Sequence, residues 1–338
     1  MSSLKGYKKY YGNKLIWYLV TLMVALVLNF SLPRLMPGNP ISALVGSVMG
    51  AGASVTAFQQ AEQDFVQRFG LDRPLPVQFF MYIRNVLRGD LGISLMQHPR
   101  PVSSILAEGI MWTLALQIPA LIVGWLLGNI LGAIAAYIRG FFDTTILPTF
   151  MFISNIPAFG LATVMLWIFA VTLRLAPVGG GFAFDLVPTF SPEFIASLIR
   201  HYQLPFWTMV LVAIGGQAIG MRSMSIYELN ADYVKYSRFL GISDRKIVRY
   251  VFRNAMLPQI TGLCFALGGM MVGNLVAEII FSYPGVGTTL MNAIRGQDYP
   301  LIAGTTLIIT IMILAANLVV EIIYGLIDPR IKAAQMDS

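Results

Sequence analysis

Residues 112–138 read WTLALQIPALIVGWLLGNILGAIAAYI and contain no charged side chain. A helix needs about 20 apolar residues to cross the hydrocarbon core of a bilayer, so this stretch predicts a membrane-spanning helix. Five more apolar segments follow the same pattern, at residues 15–36, 144–173, 206–221, 258–281 and 301–327. The fourth segment, 206–221, is short unless it extends through Leu204 or past Arg222. The sequence therefore predicts an all-α integral membrane protein with six transmembrane helices.

The composition excludes most soluble enzymes. Of the 338 residues, 57% are hydrophobic and only 12% are charged, whereas a soluble domain carries roughly 25% charged residues. The lone Cys264 excludes a disulfide framework, and His98 and His201 lie far apart in the sequence and near no carboxylate pair. We therefore expect neither a metal site nor a resident cofactor in this chain.

The first apolar segment is expected to remain in the protein as a membrane span. It follows four lysines in residues 1–14, which is also how a signal peptide begins. Residues 15–36 are longer than a signal-peptide core of about 7–15 residues, and no small-residue cleavage motif follows them.

The distribution of charge predicts the orientation in the membrane. With six spans and the N-terminus inside, the inner loops and tails carry a net charge of +8, while the outer loops are neutral. Lysine and arginine accumulate on the cytoplasmic side of membrane proteins. The tails 1–14 and 328–338 are therefore expected to be cytoplasmic and residues 37–111 extracytoplasmic. The basic charge thus reflects topology, and nucleic acid is not an expected partner.

A small helical element is expected outside the membrane after the first span. Apolar side chains recur with helical spacing over residues 59–88 within the long outer loop, a pattern typical of an amphipathic helix.

The inner loop 222–257, with the proline that follows it, reads RSMSIYELNADYVKYSRFLGISDRKIVRYVFRNAMLP. Asn230 or Asp232 is expected to cap a short helix over 233–240. Gly241 fits the position after a helix, where a positive φ is favourable. Ser243 or Asp244 is then expected to cap a second helix over 245–256.

The short helix carries apolar side chains that are expected to be mainly exposed: Tyr233, Tyr236, Phe239 and Leu240. Exposed aromatic side chains surrounded by charge suggest a docking surface for a protein partner. An amphipathic helix lying on lipid headgroups would have the same pattern, and these residues alone leave both alternatives open.

Chemistry-bearing residues are scarce in the predicted spans, where Glu278 and Glu321 are the only acids. A buried carboxylate is costly in a membrane, so Glu278 either lies on a solute pathway or serves as a structural group that reaches the outer interface or hydrogen-bonds a neighbouring helix. Glu321 is expected near the inner interface, close to Arg330. No phosphate-binding loop of the G-x-x-x-x-G-K-[ST] type is present, so ATP binding by that route is not expected.

The loop resembles the EAA-type coupling loop of membrane subunits of ATP-binding-cassette (ABC) importers, and the oligopeptide/dipeptide permease branch most closely. The resemblance lies in Asp232 to Ser243 and in the sequence RNAMLP at 253–258. Ser237, Phe239 and Leu240 stand where the family has small residues. Further stretches are similar to the same branch in the same order: LMPGNP at 35–40, FGLDRPL at 69–75, GDLGIS at 89–94, HYQLP at 201–205, EIIFSYPGVG at 278–287, RGQDYP at 295–300 and DPRI at 328–331.

The resemblance implies a type I importer transmembrane domain in the cell membrane, with a core over 112–327 that includes the coupling loop 222–257. It implies that the chain forms half of a translocation pathway and is not itself an enzyme. The implied partners are a second homologous permease subunit in a heterodimer, two ABC ATPase subunits that bind ATP and Mg²⁺, and an extracytoplasmic solute-binding protein. Peptides are the expected solute and oligosaccharides the alternative, with an integral-membrane enzyme or a channel as remote alternatives.

The pathway candidates within the predicted spans are Asn274 and Glu278. The resemblance implies the residues of the coupling site. The residues expected to couple the chain to an ATPase are Asp232, Tyr233, Tyr236, Ser237, Arg238, Phe239, Leu240, Gly241, Ile242 and Ser243.

Overall fold

The structure, a computed structural model, is all-helical in the residues that it describes. These are residues 2–35, 56, 63, 73–138, 140–273 and 275–327, with side chains described within 15–31, 56, 63, 73–138, 140–267 and 275–320. Within these ranges, strand pairing is limited to an isolated antiparallel bridge between Ile93 and Pro101. The predicted all-α class is confirmed.

The helices follow one another along the chain with short connections. In chain order they are α1 (Ser2–Leu35), α2 (Leu75–Leu87), α3 (Val102–Ile138), α4 (Leu147–Asn155), α5 (Ala158–Met165), α6 (Pro192–Leu229), α7 (Asp232–Phe239), α8 (Asp244–Gly273), α9 (Leu275–Ile280), α10 (Val286–Arg295) and α11 (Tyr299–Ile327). Two π-helical segments, Phe142–Ile146 and Leu166–Thr172, precede α4 and follow α5.

Three described helices are long and apolar enough to cross a membrane: Val102–Ile138, Pro192–Leu229 and Tyr299–Val320. A fourth span is possible if the bent segment Phe142–Thr172 crosses as one unit, and Leu15–Ser31 forms a shorter apolar helix. By length and composition, the described residues thus account for three or four of the six predicted spans.

The third apolar segment is not the continuous helix that its composition predicts. Helix α4 ends at Asn155, and α5 begins at Ala158 with a change of direction of 103°. Ile156 is extended, with φ −71° and ψ 128°. A residue before proline is sterically pushed out of the helical region, so Pro157 explains the break.

The fourth and fifth segments begin earlier than the hydropathy pattern predicts. Helix α6 starts at Pro192, within the predicted outer loop, and runs through Pro205 to Leu229. Helix α8 starts at Asp244 and passes through Pro258, so the predicted helix 245–256 and the first part of the fifth span form one helix. Each internal proline removes one backbone hydrogen bond, and spanning helices often tolerate that loss.

The first segment is also longer than predicted, because α1 begins at Ser2 in the expected tail. The amphipathic stretch 59–88 does contain a helix, α2, over Leu75–Leu87. Most residues of 59–72 lie outside the described part of the chain.

The chain divides into two compact units. The first comprises the described residues within 1–110 together with Thr289–Met312. Its apolar core includes Val102, Leu106 and Leu301. Buried Asp298 accepts hydrogen bonds from the Ser94 hydroxyl at 2.5 Å and from the backbone N–H of Met96 at 3.0 Å. The RGQDYP and GDLGIS stretches, far apart in sequence, therefore meet at this carboxylate.

The second unit comprises Met111–Thr288 and Ile313–Ser338, and its described residues contain the predicted coupling loop. Helices α4 and α6 pack closely in it because Gly215 lies against Ser154. The Ser154 hydroxyl accepts a hydrogen bond from the Gly215 N–H at 2.8 Å and donates one to the Leu211 carbonyl at 3.2 Å. Small residues at helix contacts allow such close approach in membrane proteins.

Candidate functional site

The predicted coupling loop forms a short helix, α7, between the long helices α6 and α8. Ala231 occupies the N-cap position, with φ −68° and ψ 150°, and the described residues provide no side-chain cap. Asn230 is instead the C-cap of α6, and its side-chain amide donates to the Ile226 carbonyl at 3.0 Å. The prediction that Asn230 or Asp232 caps this helix is therefore wrong.

Asp232 is the first residue of α7 and forms an exposed ion pair with Lys235 at 2.9 Å. A carboxylate in the first turn interacts favourably with the helix dipole. Asp232 therefore supports the start of α7 through its charge, although it is not the cap.

The end of α7 is fixed by Gly241, which has a φ of +71°. The backbone N–H of Ile242 donates to the Ser237 carbonyl at 3.0 Å, and that of Gly241 donates to the Arg238 carbonyl at 3.0 Å. These two bonds form a Schellman motif, which stops a helix sharply and favours glycine at the left-handed position. The predicted role of Gly241 at the helix end is confirmed.

The inner side of α7 packs onto α8 through an apolar cluster. Val234 is buried against Ile247 and Val251, with Leu229 and Ile242 packed around them. The spacing of Ile247 and Val251 by four residues places them on the same side of α8. This cluster holds α7 against the first turns of α8.

A polar network adds a second attachment at the start of α7. The phenol of Tyr233 donates a hydrogen bond to Glu228 Oε2 at 2.8 Å, and the Asn254 amide approaches the same oxygen at 3.4 Å. Burial raises the pKa of Tyr233, and its hydrogen bond to Glu228 raises it further. Tyr233 is thus half-buried, and the expectation that it is exposed is wrong.

The opposite side of α7 presents three apolar side chains to its surroundings. Tyr236, Phe239 and Leu240 are 67%, 86% and 78% exposed, and we call them the α7 patch. Lys235 and Arg238 lie beside them on the same short helix and are also exposed. A fixed apolar patch bordered by cations has the composition of a protein interface.

The remaining predicted coupling residues lie at the end of α7 or just beyond it. Ser237 and Ile242 are half-buried, and Ser243 is exposed. Ser243 precedes α8, and its carbonyl accepts from the N–H groups of Lys246 and Ile247. The predicted coupling residues therefore lie partly on the side of α7 that is attached to α6 and α8 and partly on its exposed side.

Three residues that hold α7 in place were not singled out by the sequence: Glu228, Val234 and Asn254. Val234 had a detectable sequence signal, because it is an apolar residue between the charged residues Asp232 and Lys235. Glu228 and Asn254 are 26 residues apart, so their proximity depends on how α6 and α8 pack.

The pathway candidate Glu278 lies in α9 and is fully buried. Its Oε2 accepts a hydrogen bond from the backbone N–H of Gly287 at 2.8 Å, near the start of α10. Its Oε1 accepts from the Gln117 amide at 3.2 Å. Gly285 lies directly against the carboxylate, so that an added Cβ would collide with it. The other candidate, Asn274, lies outside the described residues.

Metal ligation has no support in the described ranges, where no group of three His, Cys, Asp or Glu side chains is placed to hold an ion. Helix α7 is a short exposed helix that is attached by its inner side to the ends of two long helices.

Comparisons with known proteins show the family of this chain. The family described as "Binding-protein-dependent transport system inner membrane component" matches residues 128–333, more than half of the chain. A Brucella suis biovar 1 protein named "Putative peptide permease protein" is 35% identical over 331 residues, covering 96% of this chain and 99% of that protein.

Proteins named "Glutathione transport system permease protein GsiC" are also similar. The protein from Salmonella choleraesuis is 32% identical over 325 residues, and that from Escherichia coli O6:H1 is 30% identical over 326 residues. In both cases the match covers 96% of this chain and 98% of the relative. The chain therefore belongs to the family of inner membrane components of binding-protein-dependent transport systems, as an ABC importer permease of the peptide branch.

Proposed function

We propose that this chain is one of two permease subunits of a type I ABC importer for short peptides, and that α7 couples it to a separate ATPase subunit. The single observation that carries the coupling role is the α7 patch. Its three side chains are exposed, while the base of the same helix is attached to α6 and α8.

The attachment favours a protein partner over a lipid surface. A helix that only rests on headgroups needs no fixed link to the transmembrane helices, whereas a lever that transmits force does. In the proposed cycle, ATP binding closes the two ATPase subunits and moves α7 as a rigid body. The pathway then opens outward, and hydrolysis resets it. Such a cycle requires two packed states that a ligand biases.

The proposed arrangement has six spans, with the tails 1–14 and 328–338 and the coupling loop 222–257 in the cytoplasm. Residues 37–111, including α2, are extracytoplasmic, and residues 112–327 form the core. The net charge of +8 on the inner loops and tails supports this orientation. A second homologous permease would complete the pathway, and a solute-binding protein would deliver the solute from outside.

Peptides are the proposed solute because relatives of this chain carry the names peptide permease and glutathione transport permease. Glutathione is itself a tripeptide. These names give no support to the oligosaccharide alternative, which we therefore leave out. The pathway role of Asn274 and Glu278 stays a prediction, and the contacts of Glu278 favour the structural alternative.

The proposal is tested by co-purification of the whole complex from membranes. We expect the unmodified chain to bring an ABC ATPase with it in detergent. Phe239→Asp places a charge in the centre of the α7 patch, so this variant is expected to insert normally but to lose the ATPase and peptide uptake.

The matched control is Phe184→Asp, which changes a fully exposed phenylalanine in the connection between residue 172 and α6. We expect that variant to retain the ATPase. Retention of the ATPase and normal uptake by Phe239→Asp would contradict the proposed docking role.

A further inference from the structure

Arg222 and Asp143 form a bidentate ion pair between α6 and the π-helical segment Phe142–Ile146. The Arg222 Nε lies 2.5 Å from Asp143 Oδ1, and its Nη2 lies 2.9 Å from Oδ2. Both side chains are mostly shielded, with 33% and 22% of their surfaces exposed. Solvent screens such a pair less than a surface pair, and the two parallel hydrogen bonds fix its orientation.

The Arg222 end of this pair is close to the coupling helix along the chain. Helix α6 continues from Arg222 to Leu229, a distance of about 10 Å at the helical rise per residue. Asn230 and Ala231 then lead directly into α7. Any displacement of α7 therefore reaches Arg222 through seven residues of continuous helix and the attachment at Glu228.

The Asp143 end leads to the bent segment. The π-helical residues Phe142–Ile146 continue into α4, which ends at the 103° bend before α5. Helix α4 already contacts α6 through the apolar group of Leu147 and Ala218 and through the Ser154–Gly215 hydrogen bond. The ion pair adds a polar link at the end of this interface nearest to α7.

We propose that the Arg222–Asp143 pair is a positioning pair that carries the movement of α7 into the bent segment Phe142–Thr172. This inference rests on the proposed function of α7. Apolar contacts between α4 and α6 can slide past one another, whereas a bidentate arginine–carboxylate pair fixes both spacing and angle. Lysine offers a point charge without that fork, so it is not an equivalent residue here.

The inference is tested in the complete importer, reconstituted with its partner subunits in vesicles. The measured quantity is peptide transported per ATP hydrolysed, normalised to the amount of assembled complex. Arg222→Lys and Asp143→Asn are each expected to lower this ratio about tenfold, within the usual range of coupling between sites. ATP hydrolysis itself is expected to continue, because α7 is unchanged.

A charge exchange distinguishes a positional role from a general loss of stability. The double variant Arg222→Asp with Asp143→Arg keeps the net charge of the inner loops and restores an arginine–carboxylate pair. We expect it to recover the ratio to within about threefold of the unmodified complex. The matched control is Arg100→Lys, which alters the arginine of an exposed pair with Glu108 and should leave the ratio unchanged.

Three other outcomes would contradict the inference. The inference fails if the single variants keep the unmodified ratio, or if the exchanged pair is no better than either single variant. It also fails if Arg222→Lys does not assemble, because the pair would then serve folding rather than coupling. If the unmodified chain assembles with no ATPase, the proposed function itself is wrong. That outcome differs from a failure of the inference about the ion pair, in which the ATPase still assembles.

Discussion

The phenol of Tyr233 donates a hydrogen bond to the Glu228 carboxylate over 2.8 Å, and this bond joins the start of α7 to the end of α6. The two residues are five positions apart in the sequence, and the turn at Asn230 and Ala231 lies between them. The bond closes that turn, so the coupling helix has a defined direction relative to α6 and does not swing freely.

Tyr233→Phe removes this bond and leaves the ring in place. We expect the attachment of α7 to weaken by about 1 kcal/mol, the usual net value of one hydrogen bond. Amide hydrogen exchange of residues 233–239 should then accelerate about fivefold in the assembled complex. Tyr250→Phe is the control, because its phenol is exposed on α8 outside the α7 patch, and exchange of residues 233–239 should not change in this variant. Equal rates in both variants would show that the Tyr233 bond does not hold α7.

Substitutions of Gly241 should follow backbone preference. Within the described residues, nothing lies within 4 Å of a Cβ added at Gly241, so only its φ of +71° matters. Asparagine tolerates this region better than alanine, whereas proline cannot adopt it and also removes the N–H that donates to Arg238.

Peptide uptake per assembled complex should therefore decrease in the order Gly241→Asn, Gly241→Ala, Gly241→Pro. The proline variant is expected to insert into the membrane but to lose uptake. An alanine variant that is worse than the proline variant would contradict the Schellman geometry as the reason for glycine.

Removal of the Glu278 carboxylate should affect stability more than solute affinity. Glu278→Ala leaves the Gly287 N–H and the Gln117 amide without their buried acceptor, at a cost of about 1–3 kcal/mol for each group. We expect a lower thermal midpoint for the detergent-solubilised complex and an unchanged KM for peptide uptake in the protein that remains folded.

The control for this change is Glu193→Ala, which removes an exposed carboxylate from the first turn of α6. Its thermal midpoint should stay close to that of the unmodified complex. If Glu278→Ala instead raises KM at an unchanged midpoint, the carboxylate contacts the solute, and the pathway alternative is correct.

Hydropathy and local signals predicted the helical class, the long apolar segments and the termination of α7 at Gly241. These features depend on residues close together in the chain. The bend at Pro157 was missed because proline also occurs inside uninterrupted helices, as Pro205 in α6 and Pro258 in α8 demonstrate. Whether a proline breaks a helix depends on tertiary packing, which cannot be deduced from amino-acid composition.

The position of Tyr233 on the attached side of α7 could not be predicted from the sequence. Hydrophobicity alone grouped Tyr233 with Tyr236 and Phe239, whereas packing on α8 separates them into a half-buried and two exposed side chains. The same limit applies to Asp143 and Arg222. Asp143 lies between the predicted spans 112–138 and 144–173, and Arg222 begins the predicted loop 222–257. Only the packing of the π-helical segment against α6 brings the two side chains together.

The central claim is that the α7 patch contacts an ATPase subunit. The most direct measurement is photo-crosslinking in native membranes from an amino acid with a photoreactive side chain placed at position 239. We predict a crosslinked product that contains this chain and an ABC ATPase subunit, with no such product from position 184. Crosslinking from position 239 to lipid alone would contradict the account.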